Sequence, residues 1–308
     1  MPRVIAGDIG GTKTFLRCVE ASGEISAERR FDSARYATFD DLLRDFLPLC
    51  GVPVDAACFA VAGPVLDARA EVTNLKWLME SWKLEAAFGI PRVTLINDFY
   101  AVAVGVPLLA DEDLVSLQKG NRDPNAPIGI LGAGTGLGEA MVTRPGDAWV
   151  VIPGEGGHAD FAPQGDEQMR LLAMLQKKYG HVSWERVISG MGLTSIYEFL
   201  TGRAEDPANI AELAQRGDPK AVHTFEIFVD IYGAEAGNMG LRLLARGGIF
   251  LAGGIAAKNI AFFTDGRFVR AFLHKGRFAE LLREMPVDVI VNEHVGIIGA
   301  AAVARLSS

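Results

Sequence analysis

The sequence predicts an α/β protein that consists of two similar units. Short apolar runs typical of buried strands alternate with amphipathic helical segments along the 308 residues. A strand, a glycine-rich turn and a second strand are predicted from Val4 onwards, and the same arrangement recurs from Ile128. Glycine accounts for 35 residues, more than the usual share of about 7%, and has neither a collagen period nor a linker-like distribution. The excess of glycine therefore needs a reason in the fold.

The first unit combines a run of strands with alternating helix and strand. A capping box that starts at Thr38 opens a helix expected to run through Leu49. A second helix is expected to start at Phe99, directly after Asn97 and Asp98. The predicted strands of this unit are residues 4–7, 15–19, 25–31, 57–61 and 93–96.

The second unit repeats this organisation. Helices are predicted at residues 167–179 and along residues 221–232, where apolar side chains recur at steps of three and four. A last apolar helix is predicted at residues 295–306. The predicted strands are residues 128–131, 140–143, 148–152, 249–252 and 287–291. A boundary between the units is expected between Pro107 and Pro127, and we place it after residue 108.

Charge and cysteine content exclude several classes of protein. The net charge is −8, which argues against a nucleic-acid partner, since such proteins normally present a basic face. Cys18, Cys50 and Cys58 form no C-x-x-C pair, so neither a disulfide framework nor a zinc cluster is expected. The sequence also lacks a signal-peptide pattern and an apolar run of about 18 residues. We therefore expect a cytoplasmic protein without a membrane segment.

Two glycine-rich turns are candidates for phosphate binding. One joins Asp8 to Gly10, Gly11 and Thr12, and the other runs from Gly132 through Gly134, Thr135 and Gly136 to Gly138. Neither matches the P-loop or the Rossmann fingerprint. A glycine turn between strands can direct backbone N–H groups at a phosphate, but it can equally be a plain hairpin. A third pair, Gly253 and Gly254, could approach a nucleotide or simply end a strand.

Asp98 and Asn97 occupy the end of a predicted strand. Open α/β sheets bind ligands at the carboxyl ends of strands, so Asp98 is a candidate general base. Asn97 beside it can both donate to and accept from a hydroxyl group. The alternative role of Asp98 is the N-cap of the following helix.

The densest polar cluster is the turn that contains Glu155 and His158. Glycines on both sides of Glu155 are expected to allow unusual backbone angles. A carboxylate and an imidazole three residues apart suit a ligand with several hydroxyl groups, although a surface turn is the alternative. Glu185 follows Ser183, a good helix start, so its simplest role is to support that cap.

Taken together, these motifs resemble the bacterial glucokinase family, in order and in spacing, from residue 4 to the C-terminus. The segments that carry the resemblance are residues 7–12, 96–99, 132–138, 153–158, 185–190 and 251–255. The resemblance implies a two-domain actin-like ATPase (ribonuclease H-like) fold with a ligand cleft between the domains. It implies domains at residues 1–108 and 109–293, with a C-terminal helix at residues 294–308 that packs back on the first domain.

The resemblance also implies an activity and a set of site residues. The activity is the transfer of a phosphoryl group from ATP to D-glucose with Mg²⁺, and family members are commonly homodimers. Asp98 would take the proton of the 6-hydroxyl group, and Asp8 would position Mg²⁺ through water. The implied sugar ligands are Asn74, Asn97, Asp98, Glu155, His158 and Glu185. The implied nucleotide-binding residues are Gly7, Asp8, Gly10, Gly11, Thr12, Gly132, Gly134, Thr135, Gly136, Gly253 and Gly254.

Several alternatives remain open at this point. A kinase for fructose, mannose or an N-acetyl-hexosamine would need almost the same residues. A sugar-responsive regulator would add a DNA-binding segment, and no helix-turn-helix pattern precedes the first strand. An actin-like or chaperone-like ATPase would keep the glycine turns without the set Glu155, His158 and Glu185.

Overall fold

In the computed structural model, which describes residues 2–51, 53–72, 75–146 and 148–306, the strands form three sheets. In chain order, the strands are β1 (Val4–Ile9), β2 (Lys13–Val19), β3 (Ile25–Asp32), β4 (Ala56–Val61), β5 (Val65–Leu66), β6 (Arg69–Glu71), β7 (Leu78–Glu80), β8 (Val93–Asn97), β9 (Leu114–Gln118), β10 (Ile128–Ala133), β11 (Leu137–Thr143), β12 (Val150–Gly154), β13 (Gly248–Ala252) and β14 (Val287–Ile290).

The helices follow the strands of each sheet or cover its faces. In chain order, they are α1 (Phe39–Cys50), α2 (Ser81–Phe88), α3 (Asp98–Gly105), α4 (Gly165–Tyr179), α5 (Gly190–Thr201), α6 (Pro207–Gln215), α7 (Pro219–Leu243), α8 (Gly254–Lys258), α9 (Ala261–Thr264), α10 (Arg267–Leu273), α11 (Ala279–Arg283) and α12 (Val295–Leu306). Among the described residues, no helix is both long enough and apolar enough to cross a membrane.

The chain divides into two compact units. The first comprises Met1–Ala110 together with His294–Ser308, and the second comprises Asp111–Glu293. The first unit is therefore assembled from both ends of the chain. The assignment of functional domains to residues 1–108 and 109–293 stays a prediction.

The first unit is built on a five-stranded sheet in the order β3-β2-β1-β4-β8. β1, β4 and β8 run parallel, whereas β2 and β3 are antiparallel neighbours. β4 is buried along its whole length because both faces of the sheet are covered. One face packs on α1 through residues such as Leu42 and Phe46. The other face packs on α12 through Ile297, Ala300 and Ala304.

The second unit is built on a six-stranded sheet in the order β12-β11-β10-β13-β14-β9. β10, β13 and β14 are parallel, and β9, β11 and β12 are antiparallel to their neighbours. Its core includes most of the long helix α7, whose Tyr232 hydroxyl donates to the Leu131 carbonyl oxygen at 3.1 Å. Apolar side chains of α4, α5 and α6 complete this core.

The elements agree with the sequence predictions where the patterns are strong. The Thr38 cap is confirmed, since its side chain accepts a hydrogen bond from the Asp41 N–H at the start of α1. The strand predicted at residues 148–152 lies instead at Val150–Gly154. The small sheet of β5, β6 and β7 was not predicted, because its strands contain only two or three residues each.

Candidate active site

Two acidic residues meet at one edge of the sheet of the first unit. Because β1, β4 and β8 are parallel, their carboxyl ends share an edge, where Asp8 lies near the end of β1 and Asp98 follows β8. The protein around Asp8 removes part of its hydration, and this burial, together with the Asp98 carboxylate, raises the pKa of Asp8 to about 6 against the opposing effect of Arg30. The Asp98 carboxylate therefore disfavours the ionised form of Asp8.

Asn97 fixes the orientation of Asp98. The Asn97 Oδ1 accepts hydrogen bonds from the N–H groups of Phe99 at 2.9 Å and Tyr100 at 3.1 Å, so the N-cap of α3 is Asn97 and not Asp98. The Asn97 Nδ2 donates to the Gly63 carbonyl oxygen at 3.2 Å and to Asp98 Oδ1 at 2.9 Å. The alternative role of Asp98 as the cap is thus wrong. Burial raises the pKa of Asp98, and the hydrogen bonds from Phe99 and Asn97 oppose that rise.

A buried serine, Ser33, holds the first glycine turn through hydrogen bonds to its backbone carbonyl groups. The Ser33 hydroxyl donates to the Gly10 carbonyl oxygen at 2.9 Å, and the Ser33 N–H donates to the Thr12 carbonyl oxygen at 3.0 Å. Thr14 Oγ1 lies 3.0 Å from Ser33 Oγ, and both side chains are fully buried. Gly11 is partly open to solvent and Thr12 is exposed, so the outer side of the turn is free to contact a ligand.

Gly7 has a packing role within β1. A Cβ at this position would lie 2.7 Å from side-chain atoms of both Leu16 and Phe59. Such a distance is well inside ordinary van der Waals contact, so the core requires glycine here. The implied part of Gly7 in nucleotide binding stays a prediction.

The second glycine turn, between β10 and β11, is tied to Glu185. The Gly134 N–H donates to the Gly136 carbonyl oxygen at 2.9 Å, and the Leu137 N–H donates to Glu185 Oε2 at 3.0 Å. A Cβ on Gly136 would collide with the Glu185 carboxylate. The prediction that Glu185 supports a helix cap at Ser183 is therefore wrong, because its carboxylate binds the second glycine turn instead. The Ser183 side chain itself makes no capping hydrogen bond. Gly132 is buried inside β10.

Ser189 connects Glu185 to the next helix. Its hydroxyl donates to the Glu185 carbonyl oxygen at 2.7 Å and accepts from the Gly192 N–H at 3.1 Å, which caps α5. In addition, the Gly190 N–H donates to the Gly134 carbonyl oxygen at 2.8 Å. The start of α5, the second glycine turn and the backbone around Glu185 thus form one hydrogen-bonded assembly.

The turn with Glu155 and His158 presents both side chains to solvent. Their side chains are 91% and 61% exposed, and Glu155 Oε2 lies 3.7 Å from His158 Nε2. Gly154, Gly156 and Gly157 have no positive φ, so the expected unusual backbone angles are wrong. Glycine is needed instead for close packing on β11, because a Cβ on Gly157 would collide with the Leu137 carbonyl oxygen.

Glu139 of β11 is a buried acid that the sequence analysis missed. It is 5% exposed and packs against Gly156, where any Cβ would collide with its carboxylate. Burial and the neighbouring Glu235 raise the pKa of Glu139 to about 7, while Arg242 opposes the shift. Among the described residues, no group makes a hydrogen bond to Glu139 Oε1. This carboxyl group supports the turn that carries Glu155 and His158.

Gly253 and Gly254 follow β13. Gly253 has a φ of 87° and lies against the Ala133 carbonyl oxygen, a conformation and a proximity that only glycine accommodates readily. The structure therefore gives Gly253 a role in ending the strand. Gly254 is exposed. Nucleotide contacts of either glycine stay predictions.

The remaining predicted residues divide between the two units. Asp8, Asn97 and Asp98 come together in the first unit, and the second glycine turn comes together with Glu185 in the second. Asn74 lies outside the described residues. In the described part of the chain, no group of three or more His, Cys, Asp or Glu side chains could enclose a metal ion.

Comparisons with known proteins show the family of this chain. The sequence model of the Glucokinase family matches residues 5–307. The glucokinase of Nostoc sp. strain PCC 7120 is 41% identical over 339 aligned positions, which cover 99% of each chain. The crystal structure of a glucokinase from an Antarctic psychrotroph is 31% identical and superimposes with a TM-score of 0.91 over 99% of each chain.

A more distant structure supports the fold. The crystal structure of a ROK family glucokinase from Streptomyces griseus, in complex with glucose and AMPPNP, is 22% identical, with a TM-score of 0.66 over 99% of each chain. The prediction of the two-domain actin-like ATPase fold is thereby confirmed. Since a family model covers nearly the whole chain and full-length relatives exceed 40% identity, this chain belongs to the glucokinase family.

Proposed function

We propose that this chain is an ATP-dependent hexose kinase that transfers the γ-phosphoryl group of ATP to the 6-hydroxyl group of D-glucose. The observation that carries the proposal is the pair Asp8 and Asp98 at one sheet edge, with Asp98 oriented by the Asn97 amide at 2.9 Å. Phosphoryl transfer depends mainly on positioning and on charge stabilisation. The oriented carboxylate of Asp98 supplies a base for the hydroxyl group, and the carboxylate of Asp8 supplies a negative charge that can hold a metal ion.

Asp98 acts as the general base in this mechanism. Its carboxylate accepts the proton of the 6-hydroxyl group as the oxygen attacks the γ-phosphorus. Burial raises the pKa of Asp98, which makes the carboxylate a stronger base than a fully hydrated one. Such a base contributes roughly 10²–10⁴-fold to the rate.

Asp8 fits a Mg²⁺ ion that is held through water. Mg²⁺ keeps several waters and is bound by one or two carboxylates together with substrate phosphates, so a single carboxylate next to a glycine turn is sufficient. Burial and, after it, the Asp98 carboxylate raise the pKa of Asp8, and a divalent cation would offset both effects by favouring the ionised carboxylate. When bound, Mg²⁺ neutralises charge on the phosphate oxygens.

The two glycine turns would bind the phosphates. In the first turn, Ser33 holds the carbonyl groups of Gly10 and Thr12, which fixes the direction of the backbone N–H groups in the turn. In the second turn, the exposed Thr135 occupies the equivalent place. Donors fixed in advance stabilise developing charge better than mobile ones.

Sugar recognition is assigned to Asn97, Asn74, Glu155, His158 and Glu185. Glu155 and His158 are exposed and lie 3.7 Å apart, a spacing that suits neighbouring hydroxyl groups. Glu185 contacts the second glycine turn through Leu137, so its carboxylate would connect sugar binding to phosphate binding. Asn97 would act on the sugar and also hold Asp98.

The test of the reaction is an ADP-release assay with ATP, Mg²⁺ and a panel of sugars. We expect release that depends on glucose. Absence of release with every sugar would overturn the kinase proposal, whereas a preference for fructose, mannose or an N-acetyl-hexosamine would change only the substrate. Omitting Mg²⁺ should abolish release, and restoring it should recover the rate.

The test of the base is Asp98→Asn. Turnover should fall by roughly 10²–10⁴-fold, while glucose binding, followed by calorimetry, should persist because the amide keeps the shape of the side chain. Asp40→Asn is the matched control, since Asp40 also lies in the first turn of a helix in the same unit. Near-normal turnover of the Asp98 variant would remove this residue from its role.

We also propose that the protein is a homodimer, as its family resemblance implies, while the cytoplasmic location stays a prediction from the sequence. Light scattering coupled to gel filtration measures the mass in solution. A mass of twice 33.0 kDa supports the dimer, and a mass of one chain contradicts it.

A further inference from the structure

A small cavity lies in the second unit, between the end of α7 and the strands β11 and β12. It has a volume of about 170 Å³ and is partly open to solvent. Its lining is mainly apolar and includes the side chains of Met141, Ile152, Met239 and Leu243. An apolar cavity of about 150 Å³ is large enough for benzene. This cavity can therefore hold one aromatic ring with a short substituent.

The buried acid Glu139 belongs to the wall of this cavity. Glu139 is 5% exposed, and its carboxylate packs against Gly156, which also lines the cavity. Its Oε1 is buried, and no described residue makes a hydrogen bond to it. A buried carboxyl oxygen without a donor carries a free-energy cost. A ligand that brings a donor to this carboxyl group would remove that cost.

The neighbouring polar groups of α7 leave Glu139 as the acid that a ligand can bind. The Arg242 guanidinium donates to Glu235 Oε1 at 2.8 Å, and Asn238 Nδ2 donates to Glu235 Oε2 at 2.8 Å. Both oxygens of the fully buried Glu235 thus have donors. Since Arg242 is engaged by Glu235, a further positive charge is needed to balance an ionised Glu139. A protonated amine supplies both that charge and the missing donor.

Two methionines in the lining favour an aromatic ligand. Met141 of β11 and Met239 of α7 both line the cavity. The thioether side chain is unbranched, adapts to irregular spaces and makes favourable contacts with aromatic rings. With these side chains on one side and Glu139 on the other, the cavity complements an aromatic ring that carries an amine on a short side chain.

We propose that this cavity is a binding site for small aromatic amines of about the size of benzylamine. The ammonium group donates to the Glu139 carboxylate, and the ring contacts Met141, Met239 and Leu243. Binding is non-covalent. The site is distinct from the sugar and nucleotide sites proposed above, because none of the residues assigned to those sites lines this cavity.

The cavity borders the turn that carries Glu155 and His158, since Gly154 and Gly156 belong to its lining. No Cβ fits between the Glu139 carboxylate and Gly156, so a carboxylate that shifts toward a bound amine also moves this turn. The consequence rests on the proposed function, which assigns the turn to sugar binding. The amine and glucose should then change each other's dissociation constant by the same factor, about fivefold or more.

The experiment titrates the full-length protein with benzylamine, without sugar or nucleotide, and follows binding by calorimetry and by NMR of labelled methionine methyl groups. We expect a dissociation constant of about 1 mM or tighter. The methyl signals of Met141 and Met239 should shift, whereas that of Met79, in the first unit, should not. Absence of binding would overturn the proposal, as would binding that leaves the signals of both cavity methionines unchanged.

A second ligand tests the need for the amine. Benzyl alcohol has nearly the same shape as benzylamine but carries no charge. It should bind about tenfold more weakly or worse, because hydrogen bonds between charged groups are the stronger ones. Equal affinity for the two ligands would contradict the role of the Glu139 carboxylate. Since this comparison uses the unaltered protein, it does not depend on the folding of any variant.

Variants of the lining locate the site. Glu139→Gln should weaken benzylamine binding by about tenfold or more and leave benzyl alcohol binding unchanged. Glu280→Gln is the matched control, because Glu280 lies in the same unit and its side chain is 83% exposed. Ile152→Trp, which places a larger side chain at the mouth, should weaken both ligands. Unchanged binding in both lining variants would remove the ligand from this cavity.

A second copy of the chain is the competing occupant, because β12 is an edge strand and Ile152 is 44% exposed. Should Ile152→Asp convert a dimer into monomers and benzylamine bind only to the monomers, the cavity would belong to a dimer interface and the proposal would be wrong. The amine titration also separates this proposal from the proposed function. Intact amine binding without sugar-dependent ADP release would contradict the kinase alone, and an amine affinity that glucose leaves unchanged would refute the coupling.

Discussion

Gly136 and Glu185 share one small space at the start of β11. Since a Cβ on Gly136 would collide with the Glu185 carboxylate, Gly136→Ala must displace either the carboxylate or the turn. We expect a loss of about 1–3 kcal/mol in the free energy of unfolding, measured by urea denaturation. Gly134→Ala is the control in the same turn, because a Cβ there meets nothing within 4 Å. Its change should stay within about 0.5 kcal/mol, and equal losses would contradict this account.

Glu139 should make stability depend on pH. The pKa of its carboxyl group is 4.5 as a reference and about 7 in the folded protein, so the folded state binds the proton more tightly. The protonated Glu139 side chain therefore makes its full contribution to the free energy of unfolding below the reference pKa of 4.5. This contribution falls as pH rises from 4.5 to about 7 and is lost above that interval. Glu139→Gln removes this term and should be more stable than the parent near pH 8, by up to about 3 kcal/mol at roughly 1.4 kcal/mol per pKa unit.

Thermal melts of Glu139→Gln across the pH range measure this effect. The two proteins should converge below pH 4.5, where the carboxyl group of the parent is mostly protonated in both the folded and the unfolded state. Glu280→Gln, which changes a side chain 83% exposed, should leave the pH slope of the parent unchanged. A parallel offset at every pH would assign Glu139 a packing effect without titration.

At the scale of elements, the start of α3 is the point where the fold and the site coincide. Asn97→Ala removes the cap that accepts from Phe99 and Tyr100 and should cost about 1–2 kcal/mol. Asn97→Asp restores the capping oxygen but not the donor to Asp98, so stability should largely return while turnover does not. Urea denaturation and steady-state kinetics measure the two effects. Equal stability of the two variants would show that the cap contributes little.

Elements with strong local signals could be predicted from the sequence, because their causes lie within a few residues. The Thr38 cap and the apolar period of α7 are of this kind. Ser33 and Glu139 could not be predicted, because what gives each its role is contact with a strand or turn distant along the chain. The glycines of the site show the same limit. Their positions could be read from the sequence. The reason why residues 156 and 157 must be glycine could not, because it is their close packing against Glu139 and Leu137 of β11.

At the scale of the molecule, the first unit depends on both ends of the chain. α12 covers one face of β1 and β4 and contacts α3 so closely that a Cβ on Gly299 would collide with the Ala101 carbonyl oxygen. Without α12, the apolar face formed by residues such as Ala6 and Ala60 would be exposed to water. The second unit, by contrast, is one continuous stretch with its own core.

This difference predicts how fragments of the chain behave. A fragment of residues 111–293 should fold alone and melt cooperatively, as followed by circular dichroism, because its sheet and core are complete. A fragment of residues 1–110 should not, because burial of apolar area is the main stabilising term and α12 supplies part of it. Joining residues 294–308 through a flexible linker to the start of residues 1–110 should restore a cooperative transition. The control carries the same linker with Ile297, Ala300 and Ala304 replaced by Asp, and it should remain unfolded. If residues 1–110 alone melt as cooperatively as the joined fragment, the terminal helix is dispensable for this unit.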